Sequence, residues 1–419
     1  MSPLVVFSHL RWSFVYQRPQ HLMSRLARHR PVLFIEEPVH DPGPARLDSS
    51  WQGRHLEVLT PCTPLPSQGF DAEQALFLRP LLRRALQERG LRSPMAWLYT
   101  PMALPVARAL DPALWIYDCM DELSAFKGAP PELPEREREL MELADLVLTG
   151  GPALYEAKRA LHPHVHCMPS AVDVAHFQPA VQDPEATRCA ETLQGALPRP
   201  RLGFFGVIDE RMDLDLLARL ADARPQWQIV MVGPVVKIDP GSLPRRPNIH
   251  WLGMQSYQVL PALMAGWDVC LMPFALNEST RFISPTKTLE YLAGEKPVVS
   301  TPVPDVQRLY GAVVRIARTA EAFVEACEQA LHESPGQRRQ RLTHAMDVVA
   351  SYSWDSSAQV VHELLEEALE SRLMGGSARP ATRGGALPAM QARAESTPAA
   401  AAAARTQAAA LAAARAGRR

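Results

Sequence analysis

The chain has 419 residues, with 44 Lys+Arg against 45 Asp+Glu and a formal net charge of -1. At roughly 150 residues per domain that length allows two or three domains with sizeable cores. The near-neutral balance supplies no global field for binding nucleic acid or membrane, and a 47% hydrophobic, 21% charged composition excludes wholesale disorder. Six cysteines (Cys62, Cys119, Cys167, Cys189, Cys270, Cys327) stand far apart, with neither CxxC nor Cys/His ligand spacing. They signal no metal site and no disulfide framework, and fit a reducing cytoplasm.

The start, MSPLVVFSHLRW, has no basic segment leading into a long apolar stretch, and no apolar run reaches the ~18 residues that span a bilayer. A soluble or peripheral protein is expected. Short apolar runs at 3–8, 32–36, 96–100, 114–118, 146–149 and 164–168 read as strands buried on both faces, with helical patterns at 19–28, 72–87 and 134–144. The alternation restarts with strands at 201–207, 228–232, 248–252, 269–274, 297–301 and 313–316. Helices near 213–223, 257–265, 285–292 and 320–332 lie between or after them. Such alternation predicts α/β architecture, two doubly wound Rossmann-like parallel sheets facing across a cleft.

The expected division is 1–195, 196–350, a C-terminal helix in 351–374 and a tail in 375–419. A Pro-rich surface connection lies near 174–200. The tail carries seven Arg against one acid, Glu395, and almost no large apolar side chain, so it reads as a disordered basic extension. It is either a featureless appendage or a tether to anionic membrane or polymer.

The segment 277–301, NESTRFISPTKTLEYLAGEKPVVST, carries the most chemistry. Ser284 as N-cap and Pro285 at the first helical position would leave free amides at Thr286 and Lys287, a phosphate-binding geometry to which the lysine adds charge. Glu290, one turn on, is placed to accept from a sugar hydroxyl such as a ribose diol. The bland alternative is an ordinary capped helix with an i,i+3 Lys/Glu pair.

This segment resembles the signature helix and strand of the group 1 (family four) nucleotide-sugar glycosyltransferases, which have the GT-B fold. Similarity extends over roughly 200–372, through FFGVIDER, IVMVGP, NIHWLGMQSYQVLPALMAGWDVCLMPF and SYSWD. FSHLRWSFVYQRPQHLMSRLA in the first half resembles a bacterial branch acting on cell-surface polysaccharides. The resemblance implies a nucleotide diphosphate sugar as donor, no other cofactor and no metal. It makes Glu290 the ribose ligand and implies transfer with retention to a glycan or lipid-linked acceptor. Arg211, Arg281 and Lys287 would neutralise the departing diphosphate. Gly206, Gly233, Ser284 and Thr286 would join the donor site, with Gln255 and Tyr257 bordering the base. The family's first glutamate is replaced by Phe282, and Glu278 lies four residues earlier.

No GxGxxG or GxxxxGK[ST] occurs, so a dinucleotide dehydrogenase or P-loop enzyme has no support. His9, Arg11 and Arg18 around the first strand and helix are the expected acceptor contacts. YDCMDEL gathers Asp118, Asp121 and Glu122 after another strand. Asp118, which ends the strand, is the expected catalytic or acceptor-binding carboxylate, Glu122 an acceptor contact, and Asp121 either an acceptor contact or, equally, a structural cap. The competing reading is a non-catalytic nucleotide-sugar or polysaccharide-binding protein on the same fold. A sugar-nucleotide epimerase is a third.

Overall fold

A computed structural model describes residues 2–67, 69–178 and 183–374. The expected basic tail at 375–419 lies outside the described residues.

The first half contains β1 (Leu4–Ser8), α1 (Arg18–Leu26), β2 (Val32–Glu36), β3 (Val39–His40), β4 (Arg46–Gly53), β5 (Leu56–Thr63), α2 (Gln74–Glu88), β6 (Met95–Leu98), α3 (Leu104–Ala107), β7 (Leu114–Cys119), α4 (Leu133–Leu143), β8 (Leu146–Thr149), α5 (Pro152–Lys158) and β9 (Val165–Cys167). Its sheet order is β3-β5-β2-β1-β6-β7-β8-β9, parallel throughout that path, with β4 added antiparallel along β5. The inner strands β1, β2, β6, β7 and β8 are buried at every residue, as helices on both faces require.

The second half follows with α6 (Val174–Phe177), α7 (Pro184–Gln194), β10 (Arg201–Phe205), α8 (Leu214–Ala223), β11 (Gln228–Val232), β12 (Ile249–Trp251), α9 (Leu260–Ala265), β13 (Val269–Met272), α10 (Lys287–Ala293), β14 (Val298–Ser300), α11 (Pro304–Tyr310), β15 (Arg315–Ile316), α12 (Ala320–Leu331), α13 (Pro335–Val349) and α14 (Trp354–Leu373). Its six strands are all parallel, in the order β12-β11-β10-β13-β14-β15.

Each expected strand is present to within a few residues, but several elements were not expected. The β4–β5 hairpin escapes because β4 (RLDSSWQG) is polar and largely exposed, and β5 contains Pro61, a residue that argues against a strand. Helices α5 and α11 have seven residues each, too short to show a period. The expected surface connection contains α7, whose buried side is Ala186, Ala190 and Gln194 rather than an apolar stripe. That helix is bound to the second half: the Trp267 indole donates to Gln194 Oε1 at 2.9 Å, and Gln194 Nε2 donates to the Leu263 carbonyl at 2.7 Å.

The halves share packing. One buried cluster runs from Leu4, Val6 and Phe34 of the first sheet through Met168, Val172, Phe177 and Trp354 into the whole second sheet. The opposite face of the first sheet has its own cluster. Helix α14 returns to the first half, where the fully buried Arg30 donates to His362 Nδ1 at 3.0 Å and pairs with Glu366. Beside the cleft, Asp305 of α11 accepts the Ala153 N–H of α5 at 3.0 Å. Its second oxygen is buried without a partner, and burial pushes the carboxyl up to about 7.

Candidate active site

A cleft of about 870 Å³ opens where the two sheets meet. Its walls include Glu36 at the end of β2, Asp121 beyond β7, Gly150 beyond β8, Gly206 beyond β10, Gly233 beyond β11 and Phe274 beyond β13. Both sheets therefore present their carboxyl ends to it, the position in which open α/β sheets bind ligands.

On the second half, Lys287 and Glu290 occupy the first turn of α10 and both line the cleft. The Lys287 ammonium stands 5.5 Å from the Phe204 ring centroid and 5.3 Å from that of Phe274, so aromatic faces steer its stem. Gly206 gives it room, and Gly233 gives room to Gly206, whose carbonyl oxygen a Cβ on Gly233 would approach to 1.9 Å. Both have strongly positive φ, +141° and +144°, and a Cβ on Gly206 would lie 2.7 Å from Lys287 Cε. Burial, then the Arg211 charge, pulls the lysine pKa down, while Glu290, Asp209 and Asp121 oppose this. Burial pushes Glu290 up, with Lys287 opposing. Arg211 is clamped by Asp209, at 2.9 Å from Nε and 2.6 Å from NH2.

The local start of α10 differs from expectation. The helix begins at Lys287 with Thr286 as its cap, and neither the Ser284 nor the Thr286 side chain caps it. Ser284 Oγ is buried without a partner, while its carbonyl accepts the Ser170 hydroxyl at 2.7 Å. A seven-residue helix supplies little dipole, so the positive charge here comes from Lys287 and Arg211. Arg281 is exposed over the Phe282 ring, outside the cleft lining, and Glu278 is exposed and outside it too. Gln255 lines the cleft and donates to the Leu252 carbonyl at 2.9 Å. Tyr257 also lines it, stacked between His176 at 4.0 Å and Tyr16 at 4.6 Å, so both halves hold its ring.

On the first half, the expected acceptor residues are brought to partners within the protein. Arg18 and Asp118 form a buried ion pair at 2.9 Å, and Arg18 also donates to the Met168 carbonyl at 2.7 Å. Asp118 is 0% exposed, which leaves it no face for a substrate hydroxyl. Arg11 pairs with Glu36 at 3.2 Å and donates to the Glu37 carbonyl. Glu122 pairs with Lys158 at 2.8 Å. His9 lies outside the cleft lining, its Nδ1 buried without a partner and its pKa lowered to about 4 by burial and then Lys237.

Of the three carboxylates of YDCMDEL, the one that lines the cleft is Asp121, expected as a cap or an acceptor contact. It lies two residues past the end of β7, where the chain has left the sheet, and its charge interacts with Arg211, Lys237 and Lys287 across the cleft. Phe126 of the first half also meets two second-half cations, Arg211 at 5.3 Å and Lys237 at 4.9 Å. Lys237 and Phe126 carry no sequence signal, since each matters only through the other half.

The comparisons with known proteins agree with this geometry. Residues 199–333 match the sequence profile of the family described as Glycosyl transferases group 1. That segment is a group 1 glycosyl transferase domain. A protein of Bacillus subtilis (strain 168), TuaH, whose name makes it a candidate teichuronic acid biosynthesis glycosyltransferase, is 26% identical over 238 residues. The match takes in 52% of this chain and 59% of that relative, so the chain spans about three fifths of its length.

Among solved structures, sucrose-phosphate synthase of Thermosynechococcus elongatus superposes with a TM-score of 0.70 at 16% identity. It covers 88% of this chain and 100% of its own. Anabaena Alr3699/HepE in complex with UDP-glucose gives 0.65 at 14% identity over 88% and 100%. The trehalose-6-phosphate enzyme of E. coli with UDP-2-fluoro glucose gives 0.61 at 14% identity over 88% and 99%. The fold of this chain is GT-B. Among the described residues no group of three or more His, Cys, Asp or Glu is placed to hold a metal ion, and no helix is long and apolar enough to cross a membrane.

Proposed function

We propose that this chain transfers a sugar from a nucleoside diphosphate sugar to a cell-surface glycan or lipid-linked acceptor, with no metal and no other cofactor. The observation that carries the reading is the pairing of Lys287 and Glu290 on one turn of α10, lining the cleft beside Arg211. A diphosphate between Lys287 and Arg211 would offset their mutual repulsion, and the charge growing on it as the bond to the anomeric carbon breaks would meet two fixed cations. Glu290 would accept from the ribose. The acceptor hydroxyl forms the new bond to that carbon as the bond to the diphosphate breaks, and its proton passes to the departing diphosphate oxygen. Retention of configuration rests on the family resemblance, and the product anomer seen by proton NMR tests it.

The named relatives suggest the substrates: UDP sugars accompany HepE and the E. coli enzyme, and TuaH is named for a cell-surface polymer. Release of UDP from UDP-glucose, UDP-galactose and UDP-N-acetylglucosamine, scanned with the full chain, is the direct test. Binding of these donors without any turnover would favour the non-catalytic alternative. We further propose a cytoplasmic protein that touches anionic membrane through its basic segment 375–419. A chain ending at Met374 should then lose salt-sensitive binding to phosphatidylglycerol vesicles, and equal binding by both chains would remove the tether.

A further inference from the structure

The cleft does not stop at the donor cradle. It continues over the first half along Trp12, Ser13, Ser50, Gln52, Val58 and Thr60, that is, over the β1–α1 loop and the β4–β5 hairpin. The hairpin register pairs Asp48 with Thr60 and Ser50 with Val58, so Ser50, Val58 and Thr60 share one face. Gln52 Nε2 donates to Ser50 Oγ at 2.7 Å, which aligns an amide and a hydroxyl side by side on that face. Trp12 is half-buried, its indole edge-on to Phe34 at 5.1 Å and its backbone N–H held by Glu36 Oε1 at 2.7 Å.

The charges on this wall are already engaged. Glu36 takes Arg11 at 3.2 Å, the Trp12 amide, and the Thr60 hydroxyl at 2.8 Å. Arg11 is further bonded to the Glu37 and Pro38 carbonyls. What remains for a ligand is an aromatic ring, hydroxyls and a primary amide. The donor half instead offers Lys287 and Arg211. Among the first-half residues that line the cleft the one cation is Arg18, which is buried against Asp118, so a phosphate or carboxylate on the acceptor would find no available cation in this part of the lining, and anion recognition depends on charge-assisted contacts. An uncharged pyranose fits: its C–H face packs on an aromatic ring while its hydroxyls exchange hydrogen bonds with amide and hydroxyl groups.

We propose that the acceptor enters with an uncharged terminal sugar seated against Trp12 and read by Ser50, Gln52 and Thr60 of the β4–β5 hairpin. The inference rests on the transferase reading for the name of its ligand. The groove and its preference for neutral over anionic sugars are separable by experiment.

With the full chain in the presence of UDP, saturation-transfer NMR is run on methyl glucoside, methyl galactoside, glucose 6-phosphate and glucuronic acid. At least one neutral glycoside should bind, and each anionic sugar should bind at least tenfold more weakly. Gln52→Ala and Ser50→Ala lie on an exposed strand and should each weaken the neutral sugar about five- to tenfold, while calorimetry gives unchanged UDP affinity. Trp12→Phe keeps a ring over Phe34 and should weaken it less than Trp12→Ala, whose folding circular dichroism checks. Anionic sugars binding as well as neutral ones, no neutral sugar binding at all, or hairpin variants that bind like the parent would each overturn the proposal. If no donor is consumed yet neutral sugars still bind the hairpin, the transferase reading fails and the groove stands.

Discussion

The two halves present similar chemistry in opposite ways. On the second half, Lys287, Glu290 and Arg211 lie within one motif and one neighbouring loop and keep their charges at the cleft wall. On the first half, Arg11, Arg18, Asp118 and Glu122 look equally reactive in the sequence, yet each is joined to another protein group, and the wall sets Trp12, Ser50, Gln52 and Asp121 beside the already paired Arg18 and Glu36. Charged residues after a strand thus do two jobs. Those sealed in the interior against an opposite charge, as Arg18 is against Asp118, hold the fold. Those that line the cleft, as Lys287, Glu290 and the Asp209-clamped Arg211 do, are placed to meet a ligand.

This contrast predicts where substitutions act. Arg18→Leu or Asp118→Ala leaves one buried charge uncompensated and should cost about 3–5 kcal/mol of stability in denaturant titration. A variant of either that folds normally and loses only acceptor binding would break the contrast. Lys287→Met keeps the apolar stem over Phe204 and Phe274 and removes the charge. It should lower turnover by about 10²–10³-fold with a far smaller change in melting temperature. Loss of fold instead would move Lys287 to the structural side. Glu290→Gln keeps the shape and weakens a charge-assisted contact, so calorimetry should read a loss of about 1.5–3 kcal/mol in nucleotide binding. Unchanged affinity would remove Glu290 from the donor site.

The smallest effect belongs to the seam between the halves. Asp305 has a folded-state pKa of about 7, above the usual carboxylate range, because burial disfavours its charge. Between those two values the folded state holds more protons than the unfolded chain, so the contribution of this group to stability is greatest at low pH and falls as pH rises toward about 7. Asp305→Asn keeps the acceptor for the Ala153 N–H and cannot ionise. The variant should gain on the parent by roughly 1–3 kcal/mol between pH 5 and pH 8, with the difference levelling above that. A difference that grows as pH falls would contradict the assignment.

Much of the architecture was legible because it depends on local patterns. Runs such as LVVFS and VLFIE are buried on both faces, and doubly wound sheets require such runs. The donor turn was legible because Lys287 and Glu290 are three residues apart, so any helix there places them together. The β4–β5 hairpin was hidden because β4 is polar and exposed along nearly its whole length, and β5, although buried, carries Pro61, which argues against a strand. Helices α7 and α13 were hidden because each buries few apolar groups: Ala186 and Ala190 in the first, Ala345 and Val349 in the second.

The sequence alone therefore determined the two parallel sheets, the turn carrying Lys287 and Glu290, and the chemistry of that turn, all of them consequences of spacing within a few residues. Tertiary structure decided which charges are available. Arg18 finds Asp118 a hundred positions away, and Asp121 rather than Asp118 reaches the cations of the other sheet. A carboxylate or guanidinium is the same group in either role. Whether it binds a ligand or the fold depends on the nearest opposite charge, and for these residues that charge is brought near only by packing elements distant in the chain.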